Sequence, residues 1–155
     1  MSIEITLAER ARRKALSDRL IRHPKWTWEY GCTVDGWIMW PGQPLDKPVG
    51  DDRRTFSVNH ALEGHPYTVY RRGRTAKMPV SFMAVFDPVV LLDAPGTVGV
   101  LALLLMRAEK RFGLFTNEDR FTVTSEVGSY DDVCLGVAMA EVLLRAWGAE
   151  AGHAA

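Results

Sequence analysis

The chain lacks the features that mark several common classes of functional protein. Its 155 residues include only two cysteines, Cys32 and Cys134, and no CxxC pair or ligand quartet that would indicate a structural zinc site. The most apolar run, residues 98–106, is far shorter than the ~20 residues that cross a bilayer. P-loop, GxGxxG and GxSxG motifs are absent. The sequence therefore gives no motif-based reason to expect a nucleotide-binding, redox or serine-hydrolase function.

Charge of one sign is not in excess either. Nineteen basic residues balance nineteen acidic ones, and 47% of the chain is hydrophobic, which is typical of a globular protein and gives no overall bias toward nucleic acid. The N-terminal residues are charged and lack the apolar core of a signal peptide. We therefore expect one cytoplasmic domain over residues 1–155, with residues 148–155 frayed, both cysteines reduced and no membrane contact.

Tryptophan is concentrated, because four of the five lie in residues 26–40. Apolar and polar residues alternate from Trp26 to Val34, which is the period of a half-buried strand. Asp35-Gly36 follows and suits a two-residue turn. The pattern predicts a β-hairpin that places Trp26 in the core.

The second arm of this predicted hairpin carries Trp37 and Trp40. Because these two residues are three apart in a strand, they are expected on opposite faces, and at least one of them partly exposed. Exposed tryptophan is enriched in protein interfaces. Trp37 and Trp40 are therefore candidate binding residues.

Three helices are predicted. Thr6 and Glu9 have the spacing of a capping box at the start of a basic helix that ends near Arg22. The second helix is expected to be capped by Asp93, and the third to end at Gly148. The apolar face of the second helix is predicted over residues 98–108. The third helix is predicted to be capped by residues 129–132 and to have its apolar face over residues 133–147.

The remaining periodicity predicts strands at 55–58, 67–71 and 80–86, the last of them central because both of its faces are apolar. A second hairpin is predicted between residues 114 and 126, with its turn at 117–119. The fold class is therefore α+β: a mainly antiparallel sheet of five to seven strands that includes two hairpins, packed by two C-terminal helices, with a basic N-terminal helix.

Residues 93–105, followed by a short hairpin and an Ala/Leu-rich terminal helix, resemble small proteins encoded in bacteriophage and prophage genomes. Those proteins carry a DPATxGxLLxLxxxA helix, then a strand pair and a closing EAxALxxAL helix. The resemblance covers about residues 88–147. It implies a phage-borne accessory protein of unknown activity, and it implies no catalytic residue. Our functional hypothesis is that such a protein acts on a host or phage protein.

A catalytic or metal site has few candidates. His60 and His65 are five apart and would not share the face of a helix, whereas zinc helices use i and i+4. Asp46, Asp51 and Asp52 lie in a Pro- and Gly-rich segment, where aspartate usually makes turns. We predict no catalytic residue, no metal and no cofactor, and we keep a small hydrolase or transferase that uses His60 and His65 as a third hypothesis.

The densest uncompensated charge lies in residues 71–77. Such a loop can bind phosphates, and the aromatic residues of the strand before it could stack on bases. The same loop could instead bind an acidic protein surface. We predict a non-enzymatic protein-interaction module, with a nucleic-acid-associated module that uses this loop and the N-terminal helix as the alternative. The candidate binding cations are Arg71, Arg72, Arg74 and Lys77.

The two ends of the chain have opposite charge. Residues 1–25 carry a local charge of +4, whereas residues 126–155 hold five acids and one arginine. Opposite charges on one molecule steer association between copies. A homodimer is therefore an additional expectation.

Overall fold

The computed structural model describes residues 5–29, 31–39, 53–57, 84–109 and 111–153, which form three helices and six strands. This is the α+β class that the sequence predicts, with the expected N-terminal and C-terminal helices. In chain order, the elements are α1 (Leu7–Arg22), β1 (Thr33–Met39), β2 (Arg53–Ser57), β3 (Ala84–Val90), α2 (Pro95–Ala108), β4 (Phe112–Asn117), β5 (Arg120–Ser125), β6 (Gly128–Asp132) and α3 (Leu135–His153).

The described strands form two antiparallel sheets, where the sequence predicts one. The first sheet has the order β2-β1-β3 and the second has the order β4-β5-β6. The hairpin predicted in the second half is confirmed, since β4 and β5 pair around a two-residue turn at Glu118 and Asp119. The predicted strand at 67–71 lies outside the described residues.

The hairpin predicted at Asp35-Gly36 is wrong. Strand β1 runs through both residues, and Asp35 pairs with Thr55 on one side and Val89 on the other. The register with β3 shifts between Asp35 and Trp37, where Gly36 lies opposite two residues of β3, Asp87 and Pro88. Pairing with β2 and β3, which come later in the chain, thus overrides the local turn preference.

Trp26 nevertheless lies in the core, as predicted. It is 0% exposed although residues 26–29 form no strand. Its indole meets that of the half-buried Trp28 edge to face, with ring centroids 5.3 Å apart, a favoured aromatic geometry. The alternating pattern thus identified a buried segment but not its secondary structure.

Helix α1 confirms its predicted cap, because Thr6 Oγ1 accepts a 3.1 Å hydrogen bond from Glu9 N. Its C-terminal half is buried against β3, and Ser17 Oγ accepts a 2.8 Å hydrogen bond from Val90 N. The bond satisfies an outward N–H of β3. Among the described strands β3 pairs with β1 alone, so it lies at an edge there and not in the central position that its apolar faces predict. Helix α1 therefore covers this edge.

The predicted helix caps differ from those observed. Ala94 is the N-cap of α2, and the carboxylate of Asp93 lies 3.7 Å from Arg13. Residues 129–132, predicted to cap the last helix, belong to strand β6 because they pair with β5. Helix α3 also continues past Gly148 to His153, so its predicted end at that glycine is wrong.

Helix α3 is the centre of the packing. It contacts α1, α2, β5 and β6, and its Val137, Ala140 and Trp147 are buried as the helical period predicts. Val133, predicted to face inward, is exposed and precedes the helix. One face of the β4-β5-β6 sheet is thereby covered by α3.

Candidate interaction surface at strand β4

Most of the candidate site residues from the sequence cannot be placed. Trp37 lies in β1, between Arg53 of β2 and Phe86 of β3 in the register, and only its backbone is described. The other candidates lie outside the described residues: Trp40, Arg71, Arg72, Arg74, Lys77, His60, His65, Asp46, Asp51 and Asp52.

Neither cysteine has the environment of a reactive thiol. Burial raises the pKa of Cys32 to about 12, against a smaller lowering effect of Thr97, and a reactive thiol needs the opposite shift. Cys134 is buried, with its Sγ 3.7 Å from the carbonyl oxygen of Leu92. In the described part of the chain, no group of three or more His, Cys, Asp or Glu side chains is arranged to hold a metal ion.

A cavity of about 710 Å³ lies between the first turns of α1 and the end of β3. Apolar side chains and both signs of charge line it, and its Arg13 is already paired with Glu9 (3.0 Å) and lies near Asp93. The exposed Leu7 stands at its margin. Because cationic and anionic groups mix around this cavity, its lining does not select one ligand charge.

The second sheet has one covered face and one open face. Val123 of β5 is fully buried on the face toward α3. Residues of β4 and β5 that pair directly share a face, so Leu114, which pairs with Val123, lies on the same side. Leu114 is still 45% exposed, and Phe115 on the opposite face is 60% exposed. Strand β4 thus presents apolar side chains to solvent on both of its faces.

The open face carries a polar row beside Phe115. Phe115 pairs with Thr122, and Thr122 pairs with Asp131. The carboxylate of Asp131 accepts hydrogen bonds from Arg120 Nε (2.8 Å) and Thr122 Oγ1 (3.2 Å). The bond from Arg120 lowers the pKa of Asp131. These polar groups satisfy each other and leave Phe115 as the exposed apolar group of the row.

The two edges of this sheet differ. The β6 edge is guarded, because Arg145 Nη1 donates a 3.0 Å hydrogen bond to the carbonyl oxygen of Ser129 and Arg12 Nη2 donates to Asp132 Oδ2. Strand β4 pairs with β5 alone among the described strands. Its sequence, FGLFTN, contains no charge and no proline, although these are the devices that natural edges use against pairing.

The direction of the unpaired backbone groups of β4 follows from its turn. Asn117 and Arg120 flank a two-residue turn, and such residues exchange both of their backbone hydrogen bonds. Because N–H and C=O groups alternate in direction along a strand, those of Leu114 and Thr116 point away from β5. The open edge therefore offers regularly spaced donors and acceptors.

The sequence carries a signal for this surface in the placement of its charges. Residues 112–117 are uncharged, whereas Arg111 precedes them and Glu118-Asp119 follow. An uncharged strand is ordinary in the middle of a sheet. The pattern indicates a binding edge only together with the strand order, which places these residues at an edge among the described strands.

Comparisons with known proteins add no relative of this chain: no family model, no curated protein and no solved structure matches it. The phage resemblance is therefore not tested by them. None of the described helices has the length and apolarity needed to span a membrane.

Proposed function

We propose that this protein is a non-enzymatic protein-interaction module that binds its partner through the open edge of β4. The observation that carries the proposal is the exposed Phe115 on an uncharged strand that is paired on one side only among the described strands. A strand added to such an edge gains main-chain hydrogen bonds, and side chains on its two faces supply selectivity.

The charges of α1 favour a protein over a nucleic acid as the partner. Three of the six cations in this helix already have carboxylate partners. Arg12 pairs with Asp132 (2.8 Å), Arg19 with Glu141 (3.5 Å) and Arg13 with Glu9 (3.0 Å). Phosphate binding draws its affinity from cations that displace counterions. A helix in which half of the cations are held by the protein's own carboxylates is poorly suited to that role.

The resemblance to phage and prophage accessory proteins suggests the setting, in which the module acts in the cytoplasm on a host or phage protein. The surface itself requires only an extended segment of polypeptide as its ligand. The proposed activity is thus binding without chemistry, which agrees with two buried thiols that lack a reactive environment.

A photo-crosslinking amino acid placed at residue 115 tests the proposal in cells that express the chain. Residue 129 is the matched control, because Ser129 is also exposed and lies on the same face at the guarded edge. We expect protein adducts at residue 115 and not at 129.

A second variant tests the role of the edge itself. Thr116→Pro removes one outward N–H while leaving the bonds to β5 intact, so it should abolish the adduct at 115 without changing the circular dichroism of the protein. Nucleic-acid adducts at residue 115, or equal protein adducts at both positions, would contradict the proposal.

A further inference from the structure

We infer that the β4 edge binds a second copy of this chain, antiparallel to the first, so that two β4-β5-β6 sheets join into one continuous sheet of six strands. The inference rests on the proposed function and names its partner. Three independent features of β4 support it: the direction of its backbone groups, the position of Phe115, and the charges at its two ends.

Symmetry limits the possible registers. A two-fold axis that relates two edge strands of one continuous sheet stands perpendicular to that sheet, so the α3-covered faces of both copies lie on the same side. Directly opposed residues share a face, so odd-numbered residues of one β4 oppose odd-numbered residues of the other. With the axis at Phe115, Leu114 lies opposite Thr116 of the partner subunit, and these are the residues whose N–H and C=O groups point outward.

The end charges favour an antiparallel partner of the same sequence. Strand β4 ends at Asn117, and Glu118 and Asp119 form the turn that leads to β5. Antiparallel pairing about Phe115 therefore brings Arg111 of each copy to the end of the other β4, where the acidic turn lies. Arg111, Glu118 and Asp119 are all exposed.

Phe115 supplies the apolar centre. In this register its two copies oppose each other in a pair without direct backbone hydrogen bonds, where Cα atoms approach to about 4.5 Å and side chains meet most closely. The ring of Phe115 already lies over Gly113 of its own strand, 3.0 Å from where a Cβ would stand. Each ring therefore extends from the axis along its own strand, and the missing side chain at Gly113 leaves room for it there.

The contact is small, since it joins two six-residue strands and one aromatic pair. Interfaces at the low end of the size range are weak and transient. We therefore expect a dissociation constant in the micromolar range, which makes the dimer visible by sedimentation velocity between about 5 and about 500 µM.

A charge exchange tests the antiparallel pairing. Arg111→Glu brings an acid to the acidic turn at both ends of the dimer, and Asp119→Arg removes the net negative charge of that turn, so each variant alone should dimerise about tenfold more weakly than the wild type. An equimolar mixture of the two variants should dimerise more tightly than either variant alone, because in the heterodimer one end regains Arg111 beside the acidic turn and the other end no longer brings acids together. Both positions are exposed and outside the core, so the fold is retained.

A disulfide tests the position of the axis. Phe115→Cys places two thiols across the axis within the Cα separation that a disulfide spans. It should therefore form a covalent dimer under mild oxidation. Asn117→Cys is the control, because it lies on the same face but two residues from the axis, and its two copies are about four residues, or ~14 Å, apart. The wild type controls for Cys32 and Cys134, which are buried.

The inference is overturned if the wild type remains monomeric over the whole concentration range. It is also overturned if a dimer forms but neither the charge exchange nor the disulfide follows the predicted pattern. The mass of the cellular adduct at residue 115 distinguishes a failure of the dimer inference from a failure of the proposed function. An adduct of two copies supports both statements, an adduct with a different protein supports the function alone, and the absence of any protein adduct contradicts both.

Discussion

Arg12 of α1 donates a 2.8 Å hydrogen bond from Nη2 to Oδ2 of Asp132, 120 residues away in β6. Asp132 is nearly buried, and its Oδ1 accepts a second hydrogen bond, of 2.9 Å, from Cys134 N. One carboxylate thus joins the N-terminal helix to the second sheet and also orders the segment that leads into α3. Arg12 has Glu9 as a further partner on its own helix.

Replacement of Asp132 by Asn should reduce the free energy of unfolding by about 1–2 kcal/mol, because a charged hydrogen bond in a nearly buried position is lost while the polar contact to Cys134 N can remain. Urea denaturation measures this change. The matched control is Asp131→Asn, since the pair of Asp131 with Arg120 is exposed, and exposed pairs contribute little. Equal midpoints for the two variants would contradict the structural role of the Arg12–Asp132 pair.

Gly136 in α3 lies against the backbone of Leu92, and a Cβ at this position would collide with the Leu92 carbonyl group. Gly136→Ala should therefore destabilise the protein by about 1–3 kcal/mol, since helix or loop must shift. At Gly148 in the same helix a Cβ meets nothing within 4 Å, so Gly148→Ala should stabilise by about 0.5–1 kcal/mol through helix propensity. Thermal unfolding of the two variants should shift in opposite directions, and a shift in the same direction would refute this packing.

The sequence predicts best where local signals and tertiary structure agree. The cap at Thr6, the end of α1 and the turn between β4 and β5 are encoded by residues within a few positions of each other, and all are observed. The turn at Asp35-Gly36 has an equally good local signal, but β2 and β3 flank β1 and hold it extended through both residues. Local preference cannot reveal partners that lie about twenty and fifty residues further along the chain.

The candidate site was harder to predict for the same reason. The tryptophans and cations of the sequence made residues 37–40 and 71–77 the predicted candidates, whereas Phe115 is one apolar residue of a predicted short strand. Its exposure depends on strand order, since the same residue in β5 would be covered on both sides by neighbouring strands. Residues 129–132 show the opposite case. Their composition is typical of a helix cap, but in the structure they pair with β5, and their two aspartates bind Arg12 and Arg120.

The native thiols should be unreactive. The raised pKa of Cys32 reduces its thiolate population at pH 8 by about 10³-fold relative to an ordinary cysteine, and Cys134 is buried. We expect neither to react with a thiol reagent such as DTNB until urea unfolds the chain, when both react. The Phe115→Cys variant provides the positive control, since its added thiol should react at once. Rapid modification of a native cysteine in the folded protein would contradict the burial of these residues.

His23 should make stability depend on pH near neutrality. Its ring stacks on Trp147 with centroids 4.6 Å apart, and its Nδ1 accepts a 3.1 Å hydrogen bond from Lys25 N, which a protonated Nδ1 could not do. Burial, and then the charge of Lys25, lower the pKa of His23 below its ordinary value of about 6.5. The unfolded chain therefore binds this proton more readily than the folded chain does.

The contribution of His23 to stability is consequently complete above pH 6.5 and is lost as pH falls from there to its lowered pKa in the folded state. Glu9, whose pKa is lowered from 4.5 by its bond to Arg12, acts only in a more acidic range. Unfolding free energies of the wild type and of His23→Gln between pH 7.5 and pH 5 should thus diverge in slope, with the steeper decline in the wild type. Because the other histidines are present in both proteins, parallel profiles would show that His23 keeps its ordinary pKa and would contradict its packing against Trp147.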